Sequence, residues 1–259
     1  MSTETASLSP VAPRRFQFGW VLPALFSPRK TFARIAEQTG DVWLTPLLIM
    51  MALALVGVIV AGPIKQAAAQ SGQTLPPDFQ FLSPDQQAQF MQAQAASSGP
   101  VFVYVFPAIL AVLTIWVGWL LVVGLLHLVL TLVGGRGSTR TAMNVVAWAS
   151  LPFAVREVVA IGVMLTTRQL VNGAGLSGFA PTEGALGAFL ASLLGLVDIY
   201  LVWHVALLAL GVRADNGLSG RKAAGGVLLT MAIALALQAL PGFILAQLGN
   251  LDIARPFFF

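Results

Sequence analysis

The sequence predicts an all-α integral membrane protein with five transmembrane helices, and three observations carry that class. Five apolar runs, roughly 42–62, 103–133, 142–165, 186–211 and 223–248, each supply the ~20 residues with which a helix crosses ~30 Å of hydrocarbon. Charged residues make up only 9% of the 259-residue chain, against about 25% in soluble domains, and they sit almost wholly between the runs. The basic residues are also shared unequally among the loops. With the N-terminus in the cytoplasm, the inner segments hold ten of them: Arg14, Arg15, Arg29, Lys30, Arg34, Arg136, Arg140, Arg213, Arg221 and Lys222. The outer segments hold Lys65, Arg168 and Arg255. The positive-inside rule therefore places the N-terminus in the cytoplasm, and five spans place the C-terminus outside.

This division gives a cytoplasmic segment 1–41, a membrane domain 42–248 and an outer tail 249–259. No signal peptide is expected, since the first apolar run starts after about 40 residues, too late for a signal h-region. Residues 1–15 are polar, with Pro and Ser, and read as disordered. In the stretch that follows, Ser27 can N-cap a helix with Pro28 at its first position. Over about 27–38, Phe32, Ile35 and Ala36 share one face, while Arg29, Lys30 and Arg34 can reach lipid phosphates. The expectation is an amphipathic helix on the inner leaflet, and the alternative is a soluble flap packed on the loops.

The outer loop 64–100 contains a helix start at Ser83-Pro84-Asp85 and a Gln/Ala-rich stretch closed by Gly99-Pro100. Gly134-Gly135-Arg136-Gly137-Ser138 follows a membrane span rather than a strand, so it reads as a tight helix–helix turn and not as a phosphate loop. Ser138 or Thr139 caps the third span. The net charge of +4 reflects loop basicity beside apolar runs, and no nucleic-acid partner is expected.

Ionisable residues inside spans are costly, and they mark the candidate sites. Arg156 and Glu157 lie near the middle of the third span, and Asp198 near the middle of the fourth. The two spans are antiparallel, and Arg156 and Asp198 both fall roughly 20 Å from the cytoplasmic end, so they are expected to pair. His127 and His204 lie at a common depth and complete an intramembrane polar set. Two histidines fall short of a metal site, and with no cysteine and no catalytic motif the sequence predicts no metal, no cofactor and no catalysis. Gly187, Ala191 and Gly195 form a small-residue packing stripe, and Asp198 falls on nearly the same helical face. Pro152 is expected to kink the third span and free carbonyls for Arg156. Phe257-Phe258-Phe259 suits an outer interfacial anchor.

Three segments resemble the Yip1 family of five-span membrane proteins. Leu25-Phe26-Ser27-Pro28 with Thr31-Phe32 and Ile35 resembles the family's Leu-aromatic-small-Pro motif before the membrane. Trp148-Ala149-Ser150-Leu151-Pro152 resembles the aromatic-x-x-x-Pro of the third span, behind a Gly-Gly loop. Trp203 through Gly211, with Ser219 and Lys222, resembles the end of the fourth span and its cytosolic loop. The resemblance implies the same five-span topology and brings no catalytic residue. It also implies that eukaryotic relatives contact Rab GTPases and shape traffic between endoplasmic reticulum and Golgi, while some bacterial ones resemble accessory components of export systems. Eukaryotic members carry Asp where this chain has Ala24, and a long cytosolic region that it lacks, so Rab binding is not expected. The expectation is a non-enzymatic scaffold or accessory subunit of the bacterial plasma (inner) membrane. Its partners would be the lipid bilayer and other membrane proteins or a second copy. The alternative is a small transporter or channel with an Arg/Glu/Asp polar route.

Overall fold

The computed structural model describes residues 16–250, apart from 39, 72–78, 98, 172–174, 182–183 and 216–217. Among these residues every regular element is helical. The readings of residues 1–15 and of Phe257-Phe258-Phe259 lie outside them. Ten α-helices are described: α1 (Val21–Phe26), α2 (Pro28–Ala36), α3 (Leu44–Ser71), α4 (Pro84–Ser97), α5 (Phe106–Leu132), α6 (Thr139–Ala149), α7 (Leu151–Thr167), α8 (Gly184–Gly195), α9 (Ile199–Asp215) and α10 (Gly220–Asn250). A π-helical turn, Val101–Val105, leads into α5.

Four segments are long and apolar enough to cross a membrane: Leu44–Ala68, Val101–Leu132, Thr139–Thr167 and Gly220–Ile244. The fifth run is not one straight helix. It breaks into α8 and α9, bent by 67°, and the count reaches five when this bent pair is one span. Local chemistry explains the break. The end of α8 tightens, with Leu196 N–H bonding Leu193 O and Val197 N–H bonding Leu194 O. Asp198 then starts a new helix, its Oδ1 accepting from Leu201 N–H at 2.7 Å as an N-cap.

The third run is broken as well, at Ser150, between α6 and α7. Pro152 cannot donate, and Phe153 N–H bonds Ser150 O rather than Ala149 O. The α6 half is the hub of the core. Val145, Val146, Ala147, Trp148 and Ala149 are each at most 2% exposed, and α2, α3, α5 and α9 surround them. Large apolar side chains such as Leu110, Leu132, Leu186 and Ile199 face outward instead, as lipid-facing positions do.

Helix α2 is amphipathic, and its apolar face packs on protein. Phe32 and Ile35 are fully buried, Thr31 nearly so, and the helix packs on α9 and α6. Gly211 of α9 provides the slot: a Cβ there would stand 2.8 Å from Phe32 Cδ1 and 2.5 Å from Val145 Cγ1. The apolar face therefore seats in protein, while Arg29, Lys30 and Arg34 remain exposed along the other side. Ser27 precedes the helix, yet its side chain makes no capping bond; its carbonyl accepts from Thr31 Oγ1 instead.

The segment joining α2 to α3 is stitched to α6. Asn144, 1% exposed, accepts from Val42 N–H at 3.0 Å and donates to Gly40 O at 3.1 Å. Trp148 Nε1 donates to Val42 O. Beside it Trp43 contacts Trp116 and Trp119, and Trp119 Nε1 donates to Met143 O.

Two helix starts follow the sequence reading closely. Ser138 Oγ accepts from Thr141 N–H and caps α6. Ser83 and Gln86 exchange reciprocal bonds, a capping box at the start of α4.

Candidate functional site

The two broken runs meet, and their breaks build the polar site. Because Phe153 N–H turns to Ser150, the Ala149 carbonyl is released within the apolar interior, where an unpaired carbonyl is costly. His204 of α9 takes it, with Nδ1 2.8 Å from Ala149 O. The carbonyl freed by the kink therefore goes to His204 and not to Arg156. Arg156, one turn further along α7, reaches the other break: its Nη1 lies 3.1 Å from Asp198 Oδ2. Asp198 thus uses one oxygen on Arg156 and the other on the first turn of α9. Phe153 lies between these groups, its ring centre 5.0 Å from the Arg156 guanidinium carbon and 5.0 Å from the His204 ring.

A cavity of about 220 Å³ opens beside these residues, between α5, the α6–α7 break, α9 and α10. Arg156, His204, Ser150, Thr114 and Gln238 supply its polar edge, and side chains such as Leu201 and Met231 its apolar walls.

Of the five residues grouped by sequence, the structure brings Arg156, Asp198 and His204 together. Glu157 points elsewhere. It lies against Gly57 of α3, where a Cβ would overlap its carboxylate, so the missing side chain makes room for it. Adjacent positions on a helix differ by ~100°, and this sends Glu157 to α3 while Arg156 faces α9. His127 sits by the Gly-rich turn, its Nε2 3.4 Å from Thr139 Oγ1, and shares no site with His204. The two histidines come from different spans, and equal depth along a span does not imply a shared face.

The stripe Gly187, Ala191, Gly195 ends before the bend, so Asp198 is not on its face. Its glycines also serve the connection from α7 to α8. Gly187 lies under Pro181 O, and Gly195 O lies against Gly175, whose φ of +48° suits glycine. Leu176 N–H closes that connection onto Leu194 O.

Sequence reasoning passed over Asn144, Thr114 and Gln238. For Asn144 a signal existed, a lone amide inside an apolar run four residues before a Trp; for the other two, only the packing of α5 and α10 brings them to the cavity.

Comparison with known proteins agrees with this architecture. No solved structure matches the chain. The chain is similar to "Membrane protein YknW" of Bacillus subtilis (strain 168), 27% identical over 212 residues, which cover 79% of this chain and 83% of the relative. The Yip1 domain model matches residues 24–240, from the buried Ala24 at the start of the motif in α1 to the last turns of α10, and the chain therefore belongs to the Yip1 family of membrane proteins.

Proposed function

We propose that this Yip1-family protein is a non-enzymatic scaffold or accessory subunit of the bacterial plasma (inner) membrane, assembling with other membrane proteins such as an export system, or organising the bilayer around itself. The observation behind this reading is the way Asp198 is engaged. Both its oxygens have structural partners, Arg156 and the Leu201 amide, and together they fasten α7 to the bend between α8 and α9. A carboxylate engaged on both oxygens in this way holds helices in place; a transport site must release its partner in each cycle. The Arg/Lys asymmetry of the loops supports a cytoplasmic N-terminus, with Arg29, Lys30 and Arg34 on the inner-leaflet side.

The test is crosslinking in native membranes, followed by mild-detergent isolation of the full-length chain. The expected product is a defined complex with one or a few membrane proteins, unchanged in Arg156→Lys. Recovery of the uncrosslinked single chain alone, at every crosslinker length, would refute assembly.

A transporter is the second reading, and the observation favouring it is the cavity that reaches Arg156. It expects Arg156 and Asp198 variants that fold and assemble normally yet lose solute movement.

A further inference from the structure

The cavity at the two helix breaks carries an unused hydrogen-bonding site, and we infer that it binds a single-chain acidic amphiphile whose head brings an oxyanion to Arg156 and a hydroxyl to His204. The inference stands whether or not the assembly reading does.

His204 is 2% exposed, and its Nδ1 faces the Ala149 carbonyl. A carbonyl can only accept, which assigns the proton to Nδ1. In the neutral ring Nε2 is then a bare acceptor. Among the described residues it has no partner, and the ring borders the cavity. A buried acceptor of this kind calls for a donor. Arg156 borders the same space with one of its five N–H donors directed to Asp198, so the rest are available to an anionic acceptor.

Water alone fits poorly, because an ordered water needs two to four polar partners and much of the wall is Leu201, Met231, Leu235 and Val122. A polar edge against apolar walls matches a ligand with a polar head and a hydrocarbon body. A cavity of about 220 Å³ holds the head and the first carbons of one chain, and the rest of the tail leaves through its open side.

Gly118 provides a clean test. It lines the cavity from α5, and a Cβ built there meets nothing within 4 Å. Gly118→Leu enters the space through an unobstructed Cβ, takes up part of its volume and improves helix propensity.

Native mass spectrometry of the full-length protein in mild detergent would use four probes. Oleoyl lysophosphatidic acid has oxyanion, hydroxyl and tail; its 2-deoxy analogue lacks the hydroxyl; monoolein lacks the anion; glycerol 3-phosphate lacks the tail. Lysophosphatidic acid should give a one-to-one adduct, binding about tenfold or more tightly than each of the other three. Gly118→Leu should lose the adduct while eluting as a single species with undiminished thermal stability. Glycerol 3-phosphate binding as well as the lipid would assign the site to a free phosphate ester and overturn the amphiphile. Equal binding of monoolein or of the 2-deoxy analogue, or an adduct that survives in Gly118→Leu, would overturn the assignment to Arg156, to His204 or to the cavity respectively.

Discussion

Asp198→Ala is expected to be the most damaging single substitution in the membrane domain, lowering stability by about 4 kcal/mol. Two losses combine. Removing one partner strands the other charge inside an apolar span, at about 3 kcal/mol; the pair is only partly covered by protein, its side chains being 48% and 24% exposed, so the membrane and not the protein core sets this cost. Loss of the N-cap on Leu201 adds ~1 kcal/mol. Asp198→Asn separates the two, because an amide oxygen still caps the helix. It should cost only the pair, about 3 kcal/mol, as should Arg156→Gln. The double variant Arg156→Gln with Asp198→Asn should then recover about 1–2 kcal/mol relative to additivity, since neither charge is left alone. Thermal unfolding of the five proteins in one detergent reads all of this. Strictly additive losses would show that the ion pair does not couple α7 to the bend.

The second large effect is expected at Asn144, far from that pair. Asn144→Leu keeps the branched side-chain skeleton, in a somewhat larger volume, but leaves Val42 N–H and Gly40 C=O without their partner. An orphaned buried backbone group costs about 1–3 kcal/mol. Val42 is 1% exposed, so its amide has no water to turn to, whereas Gly40 is only half-buried and can recover a bond. The expected total is about 2–4 kcal/mol. Trp148→Phe removes the neighbouring bond to Val42 O, and the two sites grip the same residue, so their losses should not add. Limited proteolysis offers an independent readout: the link between α2 and α3 should become cleavable in Asn144→Leu before the membrane helices unfold. A link that stays resistant would mean that α2, through Phe32 and Ile35, holds the segment by itself.

These two sites show where sequence reading reached and where it stopped. That Arg156 and Asp198 lie at one depth on consecutive antiparallel runs follows from 1.5 Å per residue and the loop positions, and no tertiary information is needed. The membrane class follows equally directly, because a backbone in lipid must bond within its own helix and each run is long enough to do so. The helix starts at Ser83 and Ser138 were legible too, since a cap is chemistry among residues adjacent in sequence.

Other features required the fold. Phe32 and Ile35 mark an apolar face, but apolar contact with lipid and with protein look alike in sequence; the slot at Gly211 chose protein. Hydropathy over 186–211 is continuous, so it could not reveal that Asp198 would cap a new helix and split the span by 67°. His204 looked like one of a pair with His127, because both were placed by depth alone. Which way each ring faces depends on helix rotation, and rotation was decided by Pro152 through a carbonyl that the kink at Ser150 released. The sequence by itself determined the spans, their number as apolar runs and the charges they carry, all of which arise from local composition against a hydrocarbon solvent. Only the tertiary structure decided which polar groups meet, because that depends on where helices break and turn, and in a bilayer those choices are made by packing and hydrogen-bond satisfaction between segments far apart in the chain.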